Sequence, residues 1–466
     1  MTTQRLKIFK VYTIVPPSKL PPNSAKPALV KLKTGRVDRR WSLAKAGLLA
    51  SARHAGRNAS GWLLPAQERQ AHVQKSLTRE AIFFIQEMSK LKGSVVKVGQ
   101  MMALWGDAFF PAAVAQALHA LENQTAMMDW SSIHQQLAHE LGPSKLREFN
   151  VQPVPIGCAS LAQVHRATHL IDNAQWCFKV QYPGIAESIE SDMASLTQLL
   201  YVTRLVPRTR AFEQWLNAVK AILKQEVDYH QELLAMQRFQ RYLLNQPGYR
   251  VPDVFPNYCT SRVLACSFEA GVPLNSEMVL HLSQARRDRL GVLCLQLFWQ
   301  EIWYWGEMQT DPNFGNYLVR LDAELDVLIL LDFGAVYRFD PLVLKTGQQL
   351  IRALFDQDQS SVTQALYALN FLEPQSPQAV ITDLYQLMKI AIEPFSVDQP
   401  YDWAKANLTA RLINQVKQSA FSAHFKVPPK DLLFVGRKIM GAFSLLAMLG
   451  ARINGYALLQ GYLRKI

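Results

Sequence analysis

Residues 308–334 read MQTDPNFGNYLVRLDAELDVLILLDFG, and the fold turns on how this stretch is parsed. Asp311 and Asn316 stand five residues apart on a turn that contains Gly315. That spacing can set a carboxylate beside an amide. The acid can orient or deprotonate a nucleophile, and the amide carbonyl can bind Mg2+. The runs Tyr317–Leu321 and Val327–Leu331 flank a polar turn at Asp322–Asp326, which is the pattern of a hairpin. Asp332-Phe333-Gly334 follows the second run directly. An Asp at a strand end before a glycine is well placed to ligate a metal facing phosphates, and one hairpin spans the distance back to Asn316.

Upstream, Trp176-Cys-Phe-Lys-Val-Gln181 is a short strand-like run around Lys179. A lysine flanked by apolar residues in a strand can point into a cleft, although alone it is an ordinary amphipathic strand residue. Residues 211–243 carry a helical pattern, and their segment QEVDYHQELLAMQRF offers Glu226, Asp228 and Glu232 as partners for a lysine. Glu226 and Glu232 are six apart and do not share a helix face closely, so only one of them pairs directly. A strand lysine, then D-x-x-x-x-N, then DFG, in that order, matches the parts of a kinase. Each part alone is a weak signal.

Two kinase parts are missing. No G-x-G-x-x-G precedes Lys179; in its place stands PIGCASLAQVH, residues 155–165. Gly157, Cys158, Ala159 and Ser160 are small enough to let backbone approach phosphates. After DFG there is no A-P-E, and a helical pattern begins by Leu342, so a platform for a peptide substrate is not expected.

The chain has 466 residues with 49% hydrophobic and 19% charged side chains, a globular composition that excludes a largely disordered chain. Its formal net charge is +13, and residues 1–60 carry +12 of it, with thirteen basic residues and Asp38 as the one acid. Residues 14–35 are rich in Pro, Lys and Ser and read as an extended or disordered linker. Residues 41–57 read as a basic amphipathic helix, either docked on its own domain or lying on a membrane surface. A nucleic-acid partner is not expected, because the basic arm interleaves few aromatics beyond Phe9, Tyr12 and Trp41. Five cysteines without a C-x-x-C pair argue against zinc and for reduced thiols. No signal peptide is read, since Lys10 and Pro16-Pro17 interrupt the first apolar run. Neither is a transmembrane helix, because the uncharged run 439–451 is shorter than the ~20 residues a span needs. Helical patterns at about 78–141, a small sheet with one long helix, and a helical lobe with an embedded hairpin make the class α+β.

These motifs together resemble those of the UbiB family of atypical kinases, the AarF-domain-containing kinases. The resemblance rests on PIGCASLAQVH, CFKVQYPGI, EVDYHQE, DFG and the family's own K-x-G-Q signature at Lys97-Val98-Gly99-Gln100. MQTDPNFGN resembles the branch linked to coenzyme Q biosynthesis; other branches usually carry HADPHPGN there. The likeness covers about residues 80–460. It implies a two-lobed protein-kinase-like fold with an N-terminal helical extension. The implied parts are a basic arm and linker at 1–79, a K-x-G-Q extension at 80–150, an N-lobe with an Ala-rich loop at 151–271, and a mostly helical C-lobe at 272–466.

The resemblance further implies that Lys179 contacts the phosphates of ATP or ADP, with Glu232 as its partner. It implies that Asn316 and Asp332 bind Mg2+ and that Asp311 holds the catalytic position. Gly157, Cys158, Ala159 and Ser160 line the nucleotide, and Lys97 reaches the site with Glu226 as a candidate partner. This chain departs from the usual three alanines before Ser160, having Gly157 and Cys158, and has Ser267 where many members have a Glu. The function implied is an ATP-binding atypical kinase or ATPase supporting ubiquinone biosynthesis at a membrane surface. Implied partners are lipid or quinone precursors and a ubiquinone-biosynthesis complex. The expected location is cytoplasmic and peripheral to the membrane in a bacterium, or mitochondrial in a eukaryote. The rival readings are a small-molecule or lipid-headgroup phosphotransferase and a non-catalytic pseudokinase scaffold.

Overall fold

The computed structural model describes residues 127–202, 210–311, 313–420 and 430–464. The basic arm and the K-x-G-Q segment with Lys97 lie outside the described residues. The described chain begins with α1 (Trp130–Leu146), β1 (Phe149–Val151), β2 (Gly157–Cys158), β3 (Ala162–His169), β4 (Gln175–Gln181), α2 (Ile185–Val202), α3 (Arg210–Glu226), α4 (Tyr229–Leu243), β5 (Tyr249–Arg250) and β6 (Val263–Ser267). Then follow β7 (Val272–Pro273), α5 (Glu277–Leu280), α6 (Gln284–Gln300), β8 (Glu307–Gln309), β9 (Tyr317–Arg320), β10 (Val327–Leu330) and β11 (Val336–Arg338). The chain closes with α7 (Pro341–Phe355), α8 (Gln359–Ala368), α9 (Gln378–Ile392), β12 (Tyr401–Asp402), α10 (Leu408–Ala420), α11 (Lys430–Leu449), β13 (Arg452–Ile453) and α12 (Gly455–Leu463).

Asp129 caps α1, its Oδ1 accepting the Ser132 N–H at 2.9 Å. The stop read at Leu141-Gly142-Pro143 is visible as a break: Gly142 adopts φ 79°, and Pro143 starts one further turn. Ile133, Leu137 and Leu141 recur every fourth residue and form the buried stripe of this helix.

The first sheet has the order β1-β3-β4-β6, with β2 beside β3, and all its pairs are antiparallel. Alternation sorts its residues by face. Phe178, Val180, Val263 and Ala265 are fully buried against the stripe of α1 and residues of α2 and α3. Burying each large apolar side chain is worth roughly 1.5–3 kcal/mol. Cys177, Lys179, Leu264 and Cys266 therefore occupy the opposite face. The Asp172-Asn173 turn of the β3–β4 hairpin closes with Asn173 at φ 60°.

The single helical pattern read over 211–243 is two helices. Asp228 interrupts it, its side chain accepting the His230 N–H at 3.1 Å as the N-cap of α4. Asp offers the backbone this alternative bond and so favours a helix start over a helix interior. Glu226 ends α3 and Glu232 begins α4 in consequence.

The hairpin read at 317–331 forms β9 and β10, with Leu328 opposite Val319. β5 joins β10 in parallel, giving the order β5-β10-β9-β7. β8 pairs with β11, so the segments before Asp311 and after Gly334 lie side by side. The larger core gathers the buried faces of α4, α6, α11 and α12 around β9 and β10. The uncharged run 439–451 supplies Ala442, Phe443, Leu446 and Leu449 to that core. Among the described residues no helix is long and apolar enough to cross a membrane.

Candidate active site

Two elements converge on Lys179, α4 and the segment just past β10. From β4 its Nζ lies 2.7 and 2.9 Å from the two carboxylate oxygens of Glu232 on α4. It also lies 3.4 Å from Oδ2 of Asp332, just past β10, and 5.2 Å from the centre of the Tyr229 ring. Glu232 is buried, and its Oε1 also accepts the Phe333 N–H at 3.4 Å. Burial lifts the Glu232 carboxyl to about 7 against the opposing pull of Lys179. Burial works against the ammonium of Lys179, but Asp332 and Glu232 outweigh it and hold that group well above the usual lysine value. The lysine is thus a cation held between two carboxylates.

Gly334 lies close against the two carboxylates. A Cβ there would lie 3.3 Å from Asp332 Oδ1 and 3.4 Å from Glu232 Oε2. Its N–H donates to the same Asp332 oxygen at 2.9 Å and fixes the carboxylate.

The hairpin returns Asn316 beside Asp332, with the Leu331 N–H donating to the Asn316 carbonyl at 3.0 Å. Asn316 Nδ2 donates to Asp311 Oδ2 at 3.3 Å, which leaves the amide oxygen as its donor atom for a cation. An Asp carboxylate and an Asn carbonyl are hard oxygen ligands, and a site of two protein ligands completed by water and phosphate suits Mg2+. The residues present therefore fit the metal implied.

Asp311 is held from three sides. Arg437 of α11 contacts its Oδ1 at 2.8 Å, Asn316 its Oδ2, and Gln309 Nε2 donates to its main-chain carbonyl at 2.8 Å. Both members of the Arg437–Asp311 pair are largely shielded from solvent. One residue further along α11, Lys438 makes a second buried pair, 2.6 Å from Glu301.

Gly157 and Cys158 pair with Val164 and Gln163 of β3, and the Ala159 N–H donates to the Ala162 carbonyl at 2.8 Å. Gly157–Ser160 thus turn tightly at the sheet edge. Gly157 does not have a positive φ, and a Cβ there would meet open space, so no steric demand for glycine exists at this position. Glu226 is half-buried at the end of α3. Its suggested partner Lys97 is outside the described residues.

Reasoning from sequence did not find Arg437 or Tyr229. Arg437 lies 126 residues from Asp311 and carries no local signature. Tyr229 sat inside the quoted segment EVDYHQE, where an aromatic one turn before Glu232 was the available signal.

A sheet whose lysine pairs with a helix carboxylate, above a hairpin that ends in DFG, is a protein-kinase-like arrangement. The comparisons agree. A family model described as the ABC1 atypical kinase-like domain matches residues 120–366. The rat mitochondrial atypical kinase COQ8B is 31% identical over 370 residues, covering 79% of this chain and 69% of that protein. The fission yeast mitochondrial COQ8 is 28% identical over 390 residues, 83% of this chain and 63% of its own. The solved complex of Rv3197 with erythromycin from Mycobacterium tuberculosis shares the fold at a TM-score of 0.56 and 21% identity, covering 85% of this chain and 98% of that one. The chain belongs to the ABC1 atypical kinase-like family, that of the COQ8 and UbiB atypical kinases tied to coenzyme Q biosynthesis. It spans 48% of the length of a nematode relative, the C. elegans coq-8.

Proposed function

We propose that this chain binds ATP with Mg2+ in the cleft at Lys179 and cleaves or transfers its terminal phosphate in support of ubiquinone biosynthesis at a membrane surface. The observation that carries the reading is the convergence of Glu232 and Asp332 on Lys179 from separate elements. Glu232 orients the lysine, and the lysine ammonium takes the α- and β-phosphates. Asn316 and Asp332 hold the metal, which when bound neutralises charge developing on the phosphates. Residues 157–160 bring backbone toward the phosphates. Asp311 orients the acceptor hydroxyl or water. The names of the relatives, atypical kinase COQ8 and COQ8B, support the class of reaction.

Asp332→Asn removes a charged metal ligand and is expected to weaken Mg2+–ATP binding by on the order of 10- to 100-fold. Titration with nucleotide in the presence of Mg2+ measures this, and unchanged affinity would refute the site assignment. Free phosphate as the product supports an ATPase, whereas a phosphorylated small molecule or lipid headgroup supports a phosphotransferase. Full complementation of a deletion strain by Asp311 and Lys179 variants would instead support a scaffold.

The charge in residues 1–60 supplies the membrane part of the proposal. Each basic side chain near an anionic surface contributes about 1 kcal/mol. A chain beginning near residue 60 is expected to keep ATP binding and lose binding to anionic liposomes. Liposome binding that survives the truncation would remove the arm from the mechanism.

A further inference from the structure

Glu307 is a buried carboxylate that the reaction as described does not use. It opens β8, four residues before Asp311. Its Oε2 accepts from Arg238 Nε of α4 at 2.8 Å. Its Oε1 accepts from Arg338 Nη2 at 2.6 Å and Nε at 3.1 Å, and Arg338 is its register partner on β11. Tyr242, one turn beyond Arg238, brings its hydroxyl within 3.5 Å of the same oxygen. Burial, with the Glu307 charge beside it, pushes that phenol up from its ordinary value. One acid therefore ties together the helix that carries Glu232, the strand that leads to Asp311 and the strand that follows DFG.

Apolar contacts beside it join α4 to the residues just before β8 and β11. Phe239 of α4 packs on Phe333 of DFG with ring centres 4.9 Å apart, and Tyr242 stacks on Trp305 at 4.9 Å and 11°. In kinases controlled by modification, an added phosphate meets arginines and orders the segments around the Lys–Glu pair. Here a carboxylate encoded in the sequence already sits between two arginines.

We infer that Glu307 is a positioning residue: through Arg238 it holds α4 in the orientation that pairs Glu232 with Lys179, so the nucleotide site is assembled without modification of the chain. This rests on the proposed nucleotide site, and it acts through Glu232 rather than on the nucleotide. The test is titration of the full chain with Mg2+–ADP, using wild type, E307Q, E232Q and the double variant. If α4 without its tether is correctly placed about one-tenth of the time, the apparent Kd rises about tenfold. E307Q is expected to show that rise, and to add little in the E232Q background, where the pair it protects is already lost. In turnover assays E307Q raises KM for ATP more than it lowers kcat.

A general loss of structure gives a different pattern, with E307Q and E232Q effects adding in full; that result would overturn the inference, as would wild-type affinity in E307Q. Should E307Q fail to fold, R238Q cuts the same tether from a partly exposed helix position and is held to the same two criteria. A wild-type chain that binds no Mg2+–ADP refutes the nucleotide site and the inference with it. A wild-type chain that binds while E307Q binds equally well refutes the inference alone.

Discussion

Asp311→Asn is expected to lower ATP turnover by on the order of 1,000-fold while leaving Mg2+–ADP affinity nearly unchanged, since a positioned acid–base group contributes about 100- to 10,000-fold. The split follows from the geometry. Asp311 touches neither Lys179 nor Asp332, and it meets Asn316, the other group assigned to the metal, at the amide nitrogen rather than at the oxygen left for a cation. It meets Asn316 at 3.3 Å and Arg437 at 2.8 Å. An asparagine keeps the shape and one acceptor oxygen, so the turn survives, but the charge opposite Arg437 is lost. Breaking a buried ion pair from one side costs about 3–5 kcal/mol, and the partial exposure of both groups puts the expected loss of stability below that range. Steady-state turnover, calorimetric titration with Mg2+–ADP and thermal unfolding together check the prediction. Turnover within threefold of wild type would take Asp311 out of the reaction.

Glu232→Gln carries the second large effect, on binding rather than turnover. Lys179 would keep only Asp332, at 3.4 Å, as a charged partner for a cation whose burial already counts against it. The expected result is Mg2+–ADP affinity weaker by about 100-fold, the scale on which small misplacements of a binding group are felt. The pH dependence has a definite sign. The Glu232 carboxyl is lifted to about 7 in the folded chain from an ordinary value of 4.5. Between those values the folded state binds more protons on this group than the unfolded state does. Its contribution to stability therefore falls as pH rises through that window, and it is fully favourable only at lower pH. The Gln variant should flatten that part of the stability profile. Thermal unfolding midpoints measured from pH 4.5 to pH 7.5 test it, and an unaltered slope would show that another group titrates there.

Much of this arrangement was legible in the sequence because it is local. The hairpin, Asp332 at its end and Asn316 at its start lie within one short stretch. Strand alternation around Lys179 placed it opposite Phe178 and Val180. The parts that were not legible depend on partners far along the chain. Glu307 stands four residues from Asp311, yet its meaning comes from Arg238 and Arg338. Arg437 approaches Asp311 only because α11 packs across the larger core. The break at Asp228 was hidden for a different reason: the apolar period continues across it, and only the capping chemistry of one side chain separates the two helices.

That break has a mechanical consequence. β5, only a few residues beyond the end of α4, is paired in parallel with β10, the strand that leads to Asp332. The C-terminal end of α4 is thus moored to the same ladder as the DFG segment, so a tilt about that end would swing the first turn of the helix and Glu232 with it. Glu232 lies eleven residues from Leu243, an arm of roughly 16 Å at about 1.5 Å per residue. A tilt of about 10° at the mooring moves the carboxylate by roughly 3 Å, more than its whole contact distance to Lys179. A displacement at Tyr249 or Arg250 would reach the Glu232–Lys179 pair enlarged in this way.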